Sequence, residues 1–362
     1  MSLQMNTTTH TLIIGGGFAG ATLAQELAKS NIATTLIDRK DYFEVTMATL
    51  RNIADYDKVK DTPRIRYQDF ISGEFIQATV TELTENTAQL ENGHSISFQQ
   101  AIIATGSSYP SFSIAKSNHA LTLEERNQEL KNASLELAKA KSVLIIGAGA
   151  VGVELAGDIA YSYPNINVTL ADSSDSVLAS YSKKTQQKAT KQLQALGVNI
   201  QTNHYYQHQN DTYIDKHTGH QLNADITYIA VGVKANSQFM QAQLNKCLSE
   251  HGLIKVNSDF QVTGTSSLWA IGDVANLKDL KLAAAAMPQA KELAANLIAK
   301  QQGKKTKAHK PMPEMGLIPI GQKKGVAQIP LFGTVTWQPL INFKNKDLLI
   351  NYVFKGLAIK DI

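Results

Sequence analysis

The strongest constraint on the fold of this chain is a glycine-rich stretch near its N-terminus, HTLIIGGGFAGATLAQELAKSNIATTLIDR. It predicts a buried strand over Thr11–Ile14, a helix over Ala19–Lys29 and a second strand ending at Asp38. Three glycines between the first strand and the helix have the G-x-G-x-x-G spacing of dinucleotide-binding βαβ units, at Gly15, Gly17 and Gly20. The first permits a tight turn, the second lets the backbone approach a pyrophosphate, and the third lets the helix pack closely. The helix N-terminus attracts phosphate, and Asp38 can accept ribose hydroxyls.

A second copy of this pattern follows in the middle of the chain, KSVLIIGAGAVGVELAGDIAYSYPNINVTLADSS. Its helix is predicted over Val151–Tyr161, and Asp172 ends its second strand. Ser173 and Ser174 follow, and neither can neutralise a 2′-phosphate, which favours NADH over NADPH. The repeated triplet, and with it a second dinucleotide site, is at Gly147, Gly149 and Gly152.

Three further apolar strands run into glycines. AIIATGSS ends at Ala104-Thr105-Gly106, and ITYIAVGVKANS reaches Gly232. SLWAIGDVAN ends at Gly272-Asp273 and precedes a predicted helix over Leu282–Lys300. Asp273 can accept a hydrogen bond from a ribityl hydroxyl of a flavin, so the first glycine motif is predicted to hold FAD and the second NAD(P)H.

The predicted fold class is α/β, with two Rossmann-like dinucleotide-binding domains, the second inserted in the first, and a short C-terminal segment. The expected domains are FAD-binding (5–118 and 255–300), NAD(P)H-binding (119–254) and C-terminal (301–362). The remaining elements expected from periodicity and turn residues are two strands in Phe75–Glu91, a strand from Ile96, helices over Leu121–Lys141 and Lys183–Leu196, a strand over Asn199–Thr202, a hairpin around Asp215–Gly219, and strand-like runs over Met315–Ile320, Gly325–Ile329 and Leu348–Phe354.

The single cysteine, Cys247, limits the chemistry. One thiol forms no internal disulfide, which indicates a reducing compartment, and it excludes a reductase that works through a cysteine pair. No C-x-x-C or histidine cluster predicts a metal or iron–sulfur site. No apolar run is long enough to span a membrane, no secretory signal is recognised, and Ser2 stands where myristoylation needs glycine. We therefore expect a cytoplasmic protein.

Charge is distributed unevenly along the chain. Residues 300–362 contain eleven lysines and three acidic residues, against a net charge of +4 for the whole chain. This basic region is either a solvated helix end and linker or a peripheral contact with anionic lipid at the inner membrane face. Nucleic acid is not an expected partner, because no aromatic interleaving or binding module accompanies the lysines. A homodimer is compatible with the sequence.

Two dinucleotide sites predict hydride transfer from NADH or NADPH to one non-covalent FAD, which then passes electrons to an external acceptor. The residues alone do not name this acceptor. Three alternatives stay open, namely a reductase of a ferredoxin or rubredoxin partner, a redox-sensing NADH-binding flavoprotein with little turnover, and a flavin monooxygenase.

The chain resembles the apoptosis-inducing-factor-like flavoproteins, and among them the ferroptosis-suppressor type of FAD-dependent NAD(P)H:quinone oxidoreductase, which are related to type II NADH dehydrogenases. The similarity extends from about residue 11 to about residue 356. It rests on IIGGGFAGATLA, DRKDYF, ATLR, IIATGSS, IIGAGAVGVELAGDI, WAIGDVA and DLLINYVFK. The resemblance implies that a quinone-type small molecule is the acceptor. It also implies that Glu154 lies beside the nicotinamide and that Phe354 and Lys355 lie near the flavin ring, with Lys355 suited to donate to a reduced flavin or to a quinone oxygen.

The resemblance also implies FAD contacts by Arg51 and by the backbone near Ile76. Arg51 is alternatively a surface ion-pair residue, and Lys355 a solvated tail lysine. Together the two lines of reasoning predict these cofactor-binding residues: Gly15, Gly16, Gly17, Phe18, Ala19, Gly20, Asp38, Arg39, Arg51, Ile76, Ala104, Thr105, Gly106, Gly147, Gly149, Gly152, Asp172, Gly232, Gly272 and Asp273.

Overall fold

A computed structural model describes residues 6–210, 212–279, 281, 283–313 and 315–359. The strands are β1 (Asn6–Ile14), β2 (Thr35–Asp38), β3 (Tyr42–Glu44), β4 (Arg64–Arg66), β5 (Glu74–Gln77), β6 (Val80–Leu83), β7 (Thr87–Leu90), β8 (Ser95–Ile103), β9 (Ser107–Ser108), β10 (Ser142–Ile146), β11 (Asn167–Ala171), β12 (Asn199–Gln201), β13 (Tyr206–Gln209), β14 (Thr212–Asp215), β15 (Gln221–Leu222), β16 (Ile226–Ile229), β17 (Lys234–Ala235), β18 (Leu268–Ala270), β19 (Gly316–Ile320), β20 (Lys324–Ile329) and β21 (Gly333–Val335). The helices are α1 (Phe18–Ala28), α2 (Thr49–Ala54), α3 (Tyr56–Val59), α4 (Leu123–Leu137), α5 (Ala150–Ser162), α6 (Lys183–Ala195), α7 (Gln241–Leu244), α8 (Ala283–Gln301), α9 (Gln338–Asn345) and α10 (Ile350–Gly356).

Two sheets carry the two glycine motifs. The first has the strand order β5-β2-β1-β8-β7-β6, with β18 also paired to β8, and its central strands β2, β1, β8 and β18 are parallel. The second has the order β12-β11-β10-β16 and is entirely parallel. In each, the strand that enters the glycine turn is central, so both turns lie at the carboxyl edge of a sheet, where α/β proteins bind ligands. The predicted α/β class with two dinucleotide-binding sheets is confirmed.

Helices cover both sheets through apolar faces. α1 and α8 pack together over the first sheet, in a core that includes Leu23, Leu27, Ala290 and Leu293. A second core joins α5 and α6 to the second sheet. The sequence predicted the helices α4, α5, α6 and α8, and the predicted bounds differ from the observed ones by at most about four residues at each end.

A small antiparallel sheet, β19-β20-β21, and the helices α9 and α10 form the C-terminal part of the chain. The sheet packs against α5, α6 and α9. The predicted strand over Leu348–Phe354 is wrong, because this segment forms α10 instead. Its buried residues, Ile350, Val353, Phe354 and Leu357, recur at helical spacing, which a short apolar run does not distinguish from a strand. Among the described residues, no helix is long and apolar enough to cross a membrane.

Candidate functional site

The two glycine motifs have the same geometry. Gly15 and Gly147 both adopt positive φ angles, +100° and +111°, which a side chain would strain. A Cβ atom at Gly20 would lie 1.8 Å from the carbonyl oxygen of Gly15, and one at Gly152 would lie 1.8 Å from that of Gly147. The third glycine of each motif is therefore required for helix and turn to touch.

The middle glycines face open space. A Cβ atom at Gly17 or Gly149 would meet no other atom within 4 Å, although each residue is the N-cap of its helix. No side chain caps α1 or α5, so the first N–H groups of both helices remain available to a ligand. A helix N-terminus with an open glycine in front of it suits a pyrophosphate.

The acidic residue that follows each motif is tied back to its glycine turn. Asp38 accepts a hydrogen bond from the Gly16 amide at 2.6 Å, and Asp172 accepts one from the Ala148 amide at 2.5 Å. Each carboxylate also accepts the amide two residues further along the chain, at 2.9 Å and 2.7 Å. These bonds fix both carboxylates beside the turn, where ribose hydroxyls would reach them.

A cavity of about 710 Å³ extends from the first glycine motif to α5 of the second motif. Its volume is in the range of sites that bind cofactor-sized molecules. Twelve of the predicted site residues line it, which are Gly15, Gly17, Phe18, Ala19, Asp38, Arg39, Ala104, Thr105, Gly106, Glu154, Gly272 and Asp273.

Other predicted residues lie beside this cavity or away from it. Gly16 faces the ring of Tyr67, and Gly20 is buried under the glycine turn. Ile76 lies in β5, just before a stretch at 78–81 that lines the cavity. The residues predicted for the nucleotide of the second motif lie outside the cavity lining, at Gly147, Gly149, Gly152, Asp172 and Gly232.

Asp273 is held at the cavity wall by two donors. It accepts hydrogen bonds from the Ser107 hydroxyl at 2.6 Å and from Lys116 Nζ at 3.1 Å. Burial alone would raise the pKa of Asp273, but the Lys116 charge and the Ser107 hydrogen bond hold it below its usual value. The carboxylate is therefore ionised and already oriented to accept a hydrogen bond from a ligand hydroxyl.

A buried ion pair joins the second motif to the C-terminal segment inside the cavity. Lys344 Nζ, on α9, lies 2.7 Å from Glu154 Oε1, on α5, and also donates to the Leu317 carbonyl at 3.1 Å. The two side chains are 10% and 13% exposed. Burial raises the pKa of Glu154, and the Lys344 charge opposes that rise in part. Sequence reasoning found Glu154 and missed Lys344, because 190 residues separate them.

The structure does not bring Phe354 and Lys355 to the cavity. Phe354 is buried in the core beneath the first motif, with its ring 6.5 Å from that of Phe43, and Lys355 is exposed. Neither residue lines the cavity. The helical twist of α10 turns Phe354 inward and Lys355 outward. The lysine from the C-terminal segment that lines the cavity is Lys344.

Arg51 does not line the cavity and instead contacts side chains of α5 and α9. Its guanidinium donates to Asp158 at 3.0 Å and to the Asn345 side chain at 2.9 Å, and it is 4% exposed. Burial raises the pKa of Asp158, and Arg51 opposes the rise. Asp158 lies one turn after Glu154 on α5, and Asn345 follows Lys344 on α9. The Lys344–Glu154 ion pair therefore joins α9 to α5 directly, and Arg51 of α2 bridges the same two helices through Asp158 and Asn345. The ion-pair alternative for Arg51 agrees with this geometry, with the difference that the pair is buried.

A second buried charge cluster supports the cavity from the first domain side. Glu44 lines the cavity and forms two ion pairs. Its Oε1 atom lies 3.1 Å from Arg126 Nη2 and 3.4 Å from Arg64 Nη1. Burial would raise the pKa of Glu44, but these arginines and Lys40 lower it below its usual value. Burial lowers the pKa of Lys40, which also lines the cavity. Arg64 and Arg126 reach Glu44 across 20 and 82 residues, so no local spacing predicts these contacts.

Comparison with known proteins places the chain among flavin- and nicotinamide-dependent enzymes. The family model described as pyridine nucleotide-disulphide oxidoreductase matches residues 9–290. Mouse ferroptosis suppressor protein 1 is 28% identical, over 96% of this chain and 95% of that protein. Apoptosis-inducing factor homolog A of Dictyostelium discoideum is 29% identical, over 94% of this chain and 90% of that protein.

Solved structures show the same fold at low sequence identity. The sulfide:quinone oxidoreductase of Aquifex aeolicus superposes with a TM-score of 0.76 at 17% identity, covering 96% of this chain and 92% of that one. NDH2 of Plasmodium falciparum, in complex with NADH, superposes with a TM-score of 0.72 at 13% identity, covering 98% and 97%.

Proposed function

Because the chain belongs to the pyridine nucleotide-disulphide oxidoreductase family, we propose that it carries electrons from NAD(P)H through FAD to a quinone-type acceptor. The family makes it an FAD-dependent oxidoreductase that uses NAD(P)H, as the sequence predicted. The resemblance to ferroptosis suppressor proteins and apoptosis-inducing-factor homologs is likewise confirmed. What we propose beyond these statements is that the electron acceptor is a quinone.

One observation carries the proposal. Glu154 belongs to the helix of the second glycine motif, yet it lines the same cavity as Gly15, Gly17 and Asp38 of the first motif. The cavity is therefore continuous from one nucleotide motif to the helix of the other. This continuity supports direct contact between a nicotinamide and a flavin at the Glu154–Lys344 pair.

The residues present fit FAD at the first motif. Gly17 leaves the N-terminus of α1 open for a pyrophosphate, Asp38 is held beside the turn for a ribose, and Asp273 is oriented for a ribityl hydroxyl. When bound, FAD supplies the two-electron chemistry, since it accepts a hydride from NAD(P)H and returns electrons to an acceptor.

The protein contributes charge and position to the reaction. Lys344 holds a positive charge at the cavity wall, anchored by Glu154 and the Leu317 carbonyl. A fixed cation in a partly dehydrated cavity stabilises negative charge that develops on a nearby acceptor oxygen. Burial raises the pKa of Glu154, so its carboxylate is a candidate to exchange a proton with a ligand at the same place.

The cysteine content favours a quinone over a disulfide as the electron acceptor. The sequence has only Cys247, which is buried and does not line the cavity. Reduction of a disulfide through a protein cysteine pair is therefore excluded. The name of the Aquifex aeolicus neighbour includes a quinone as substrate, and this supports a quinone for the present chain.

Anaerobic half-reactions test the proposal. Purified protein with bound flavin is mixed with NADH without oxygen, and the loss of the oxidised-flavin absorbance is followed. The reduced protein is then mixed with a soluble quinone, a ferredoxin or a rubredoxin. We expect rapid bleaching by NADH and reoxidation faster by quinone than by either iron–sulfur protein. Faster reoxidation by an iron–sulfur protein, or slow reoxidation by every acceptor, would replace the quinone with one of the alternatives.

A further inference from the structure

A second cavity, of about 280 Å³, lies between the helices α2 and α3 and the turn that joins α9 to α10. It shares no lining residue with the cavity of the nucleotide motifs. Four of its lining residues belong to positions 51–62, one to the β19–β20 turn, and five to positions 345–350. This volume is slightly below the roughly 300–1,000 Å³ of sites for drug-sized ligands, so it suits a smaller molecule.

Two lysines give this second cavity a positive charge. Lys58 of α3 and Lys346, directly after α9, are exposed, and neither forms an ion pair within the described part of the chain. Lys58 donates a hydrogen bond to the side-chain oxygen of Gln322, which is neutral. The one carboxylate among the described lining residues is Asp347, and its two oxygens accept backbone amides at the start of α10, at 3.1 Å and 3.2 Å. Two cations without an ionic partner therefore lie beside one carboxylate that is already hydrogen-bonded.

Arg51 adds a buried donor with a free position to the wall of the second cavity. Its side chain is 4% exposed, and a guanidinium has five N–H groups. Four of them are used, since Nε and Nη2 donate to Asp158, Nη2 also donates to the side chain of Asn345, and Nη1 donates to the Asn345 carbonyl. The second N–H of Nη1 has no acceptor among the described residues. Water can accept from this group, but the two lysines of the same cavity favour an anionic oxygen.

The apolar part of the second cavity is preformed. Val59, Leu348 and Ile350 line it and are buried in the core beneath the first glycine motif. Leu348 and Leu349 adopt φ angles of +55° and +63°, in the left-handed region that leucine seldom occupies. Burial of Leu348 offsets this backbone strain and holds the turn in one shape. A ligand therefore meets a fixed apolar wall in the same cavity as the cationic groups.

We propose that the second cavity binds a phosphate monoester with a short carbon stem. The phosphate accepts hydrogen bonds from Lys58, Lys346 and the free N–H of Arg51, and the stem packs against Val59 and Ile350. Guanidinium and ammonium groups bind phosphate through charge-assisted hydrogen bonds. An inorganic phosphate ion offers the same oxygens but leaves the apolar wall uncovered. A dinucleotide is too large for about 280 Å³, so this is not a further cofactor site.

The position of this site gives the ligand an effect on α9. Lys346 follows closely after Lys344, which lies 2.7 Å from Glu154 in the nucleotide cavity. A phosphate held by Lys58 and Lys346 ties α3 to the C-terminal end of α9 and stabilises the folded chain by mass action. This inference goes beyond the proposed function and holds for any electron acceptor, so its failure would leave the proposed function standing.

Isothermal titration calorimetry of the full-length, flavin-loaded protein tests the site. Glycerol 3-phosphate and inorganic phosphate are the probes, and chloride keeps the ionic strength constant. Saturating NAD⁺ is present throughout, because the helix N-terminus of the second glycine motif also attracts phosphate. We expect one saturable site per chain and tighter binding of glycerol 3-phosphate, whose stem covers apolar surface. Lys58→Gln/Lys346→Gln should weaken the binding of both probes about tenfold or more, because two charge-assisted hydrogen bonds are lost.

Lys60→Gln/Lys323→Gln is the matched control, since it removes the same charge from two exposed lysines that line neither cavity. Its affinity for both probes should equal that of the wild type. Glycerol 3-phosphate should raise the melting temperature of the wild type and of this control, but not that of Lys58→Gln/Lys346→Gln. The proposal would be overturned by absence of saturable binding to the wild type, by an equal loss of affinity in both lysine pairs, or by an unchanged thermal shift in Lys58→Gln/Lys346→Gln. Equal affinity for the two probes would contradict the carbon stem.

Discussion

Replacement of Lys344 by methionine is the most direct test of the site. Methionine keeps the unbranched length of the side chain and removes its charge. In the wild type, Lys344 Nζ lies 2.7 Å from Glu154 and 3.1 Å from the Leu317 carbonyl, and both ionised side chains are largely buried. Lys344→Met therefore leaves the Glu154 carboxylate without its cation in a site from which most water is excluded.

The expected loss of stability follows from this burial. Removal of one partner of a buried ion pair costs about 3–5 kcal/mol. Glu154 can escape part of this cost by taking up a proton, since burial already raises its pKa, so we expect a loss at the lower end of this range, about 3 kcal/mol. The loss should shrink as the pH is lowered, because protonation of Glu154 removes the unpaired charge. Glu154→Gln/Lys344→Met should be more stable than Lys344→Met alone.

Two measurements check this prediction. Thermal melting across a pH series gives the stability of each variant, and anaerobic stopped-flow absorbance gives the two half-reactions. Loss of a fixed cation at a reacting centre should slow the acceptor half-reaction on the order of a hundredfold. Lys355→Met is the matched control, because Lys355 is exposed and does not line the cavity. The reasoning would be refuted if Lys355→Met slowed the acceptor half-reaction and Lys344→Met left it unchanged.

Three further predictions concern the nucleotide motifs and the chain after α8. Gly17→Ala should lower the absorbance of bound flavin but not the melting temperature, because the added Cβ has open space within the protein. Gly20→Ala should lower the melting temperature, because its Cβ would overlap the Gly15 carbonyl. Asp172→Ala should lower the preference for NADH over NADPH, measured as kcat/KM for both, about tenfold or more by removing a charge that repels a 2′-phosphate. Hydrogen bonds to Glu292 and Asp279 raise the pKa of His309 against the effect of burial, so its stabilising contribution should be complete below about pH 6.5 and lost as pH rises through the higher folded value. Melting temperatures of His309→Gln across the same pH range should lack this decline.

The nucleotide motifs were predictable because their chemistry is local. The turn after β1 needs a glycine at positive φ, the turn after β10 needs another, and helix contact needs the third glycine of each triplet. These demands act within six residues and leave a fixed spacing in the sequence. Strand β18 pairs with β8 in the first sheet, which agrees with the expectation that the chain returns there after the second motif.

The electrostatic part of the site was not predictable in the same way. Glu154 meets Lys344 across 190 residues, and Arg126 meets Glu44 across 82. No spacing rule connects such partners, because the fold and not the local chain brings them together. The expectation for Lys355 came from a resemblance that covers the right segment of the chain. In the structure, the helical rotation of α10 leaves Lys355 exposed and outside the cavity lining, so its role beside the flavin stays a prediction.

The C-terminal segment is therefore part of the site, although it is too short to form a domain with a function of its own. Within three consecutive residues of α9, Phe343 faces outward, Lys344 reaches Glu154, and Asn345 contacts Arg51. The ion pairs of Lys344 with Glu154 and of Arg51 with Asp158 are both made to α5, which begins at the second glycine motif. A substitution that displaces α9 would consequently act on the cavity wall at Glu154.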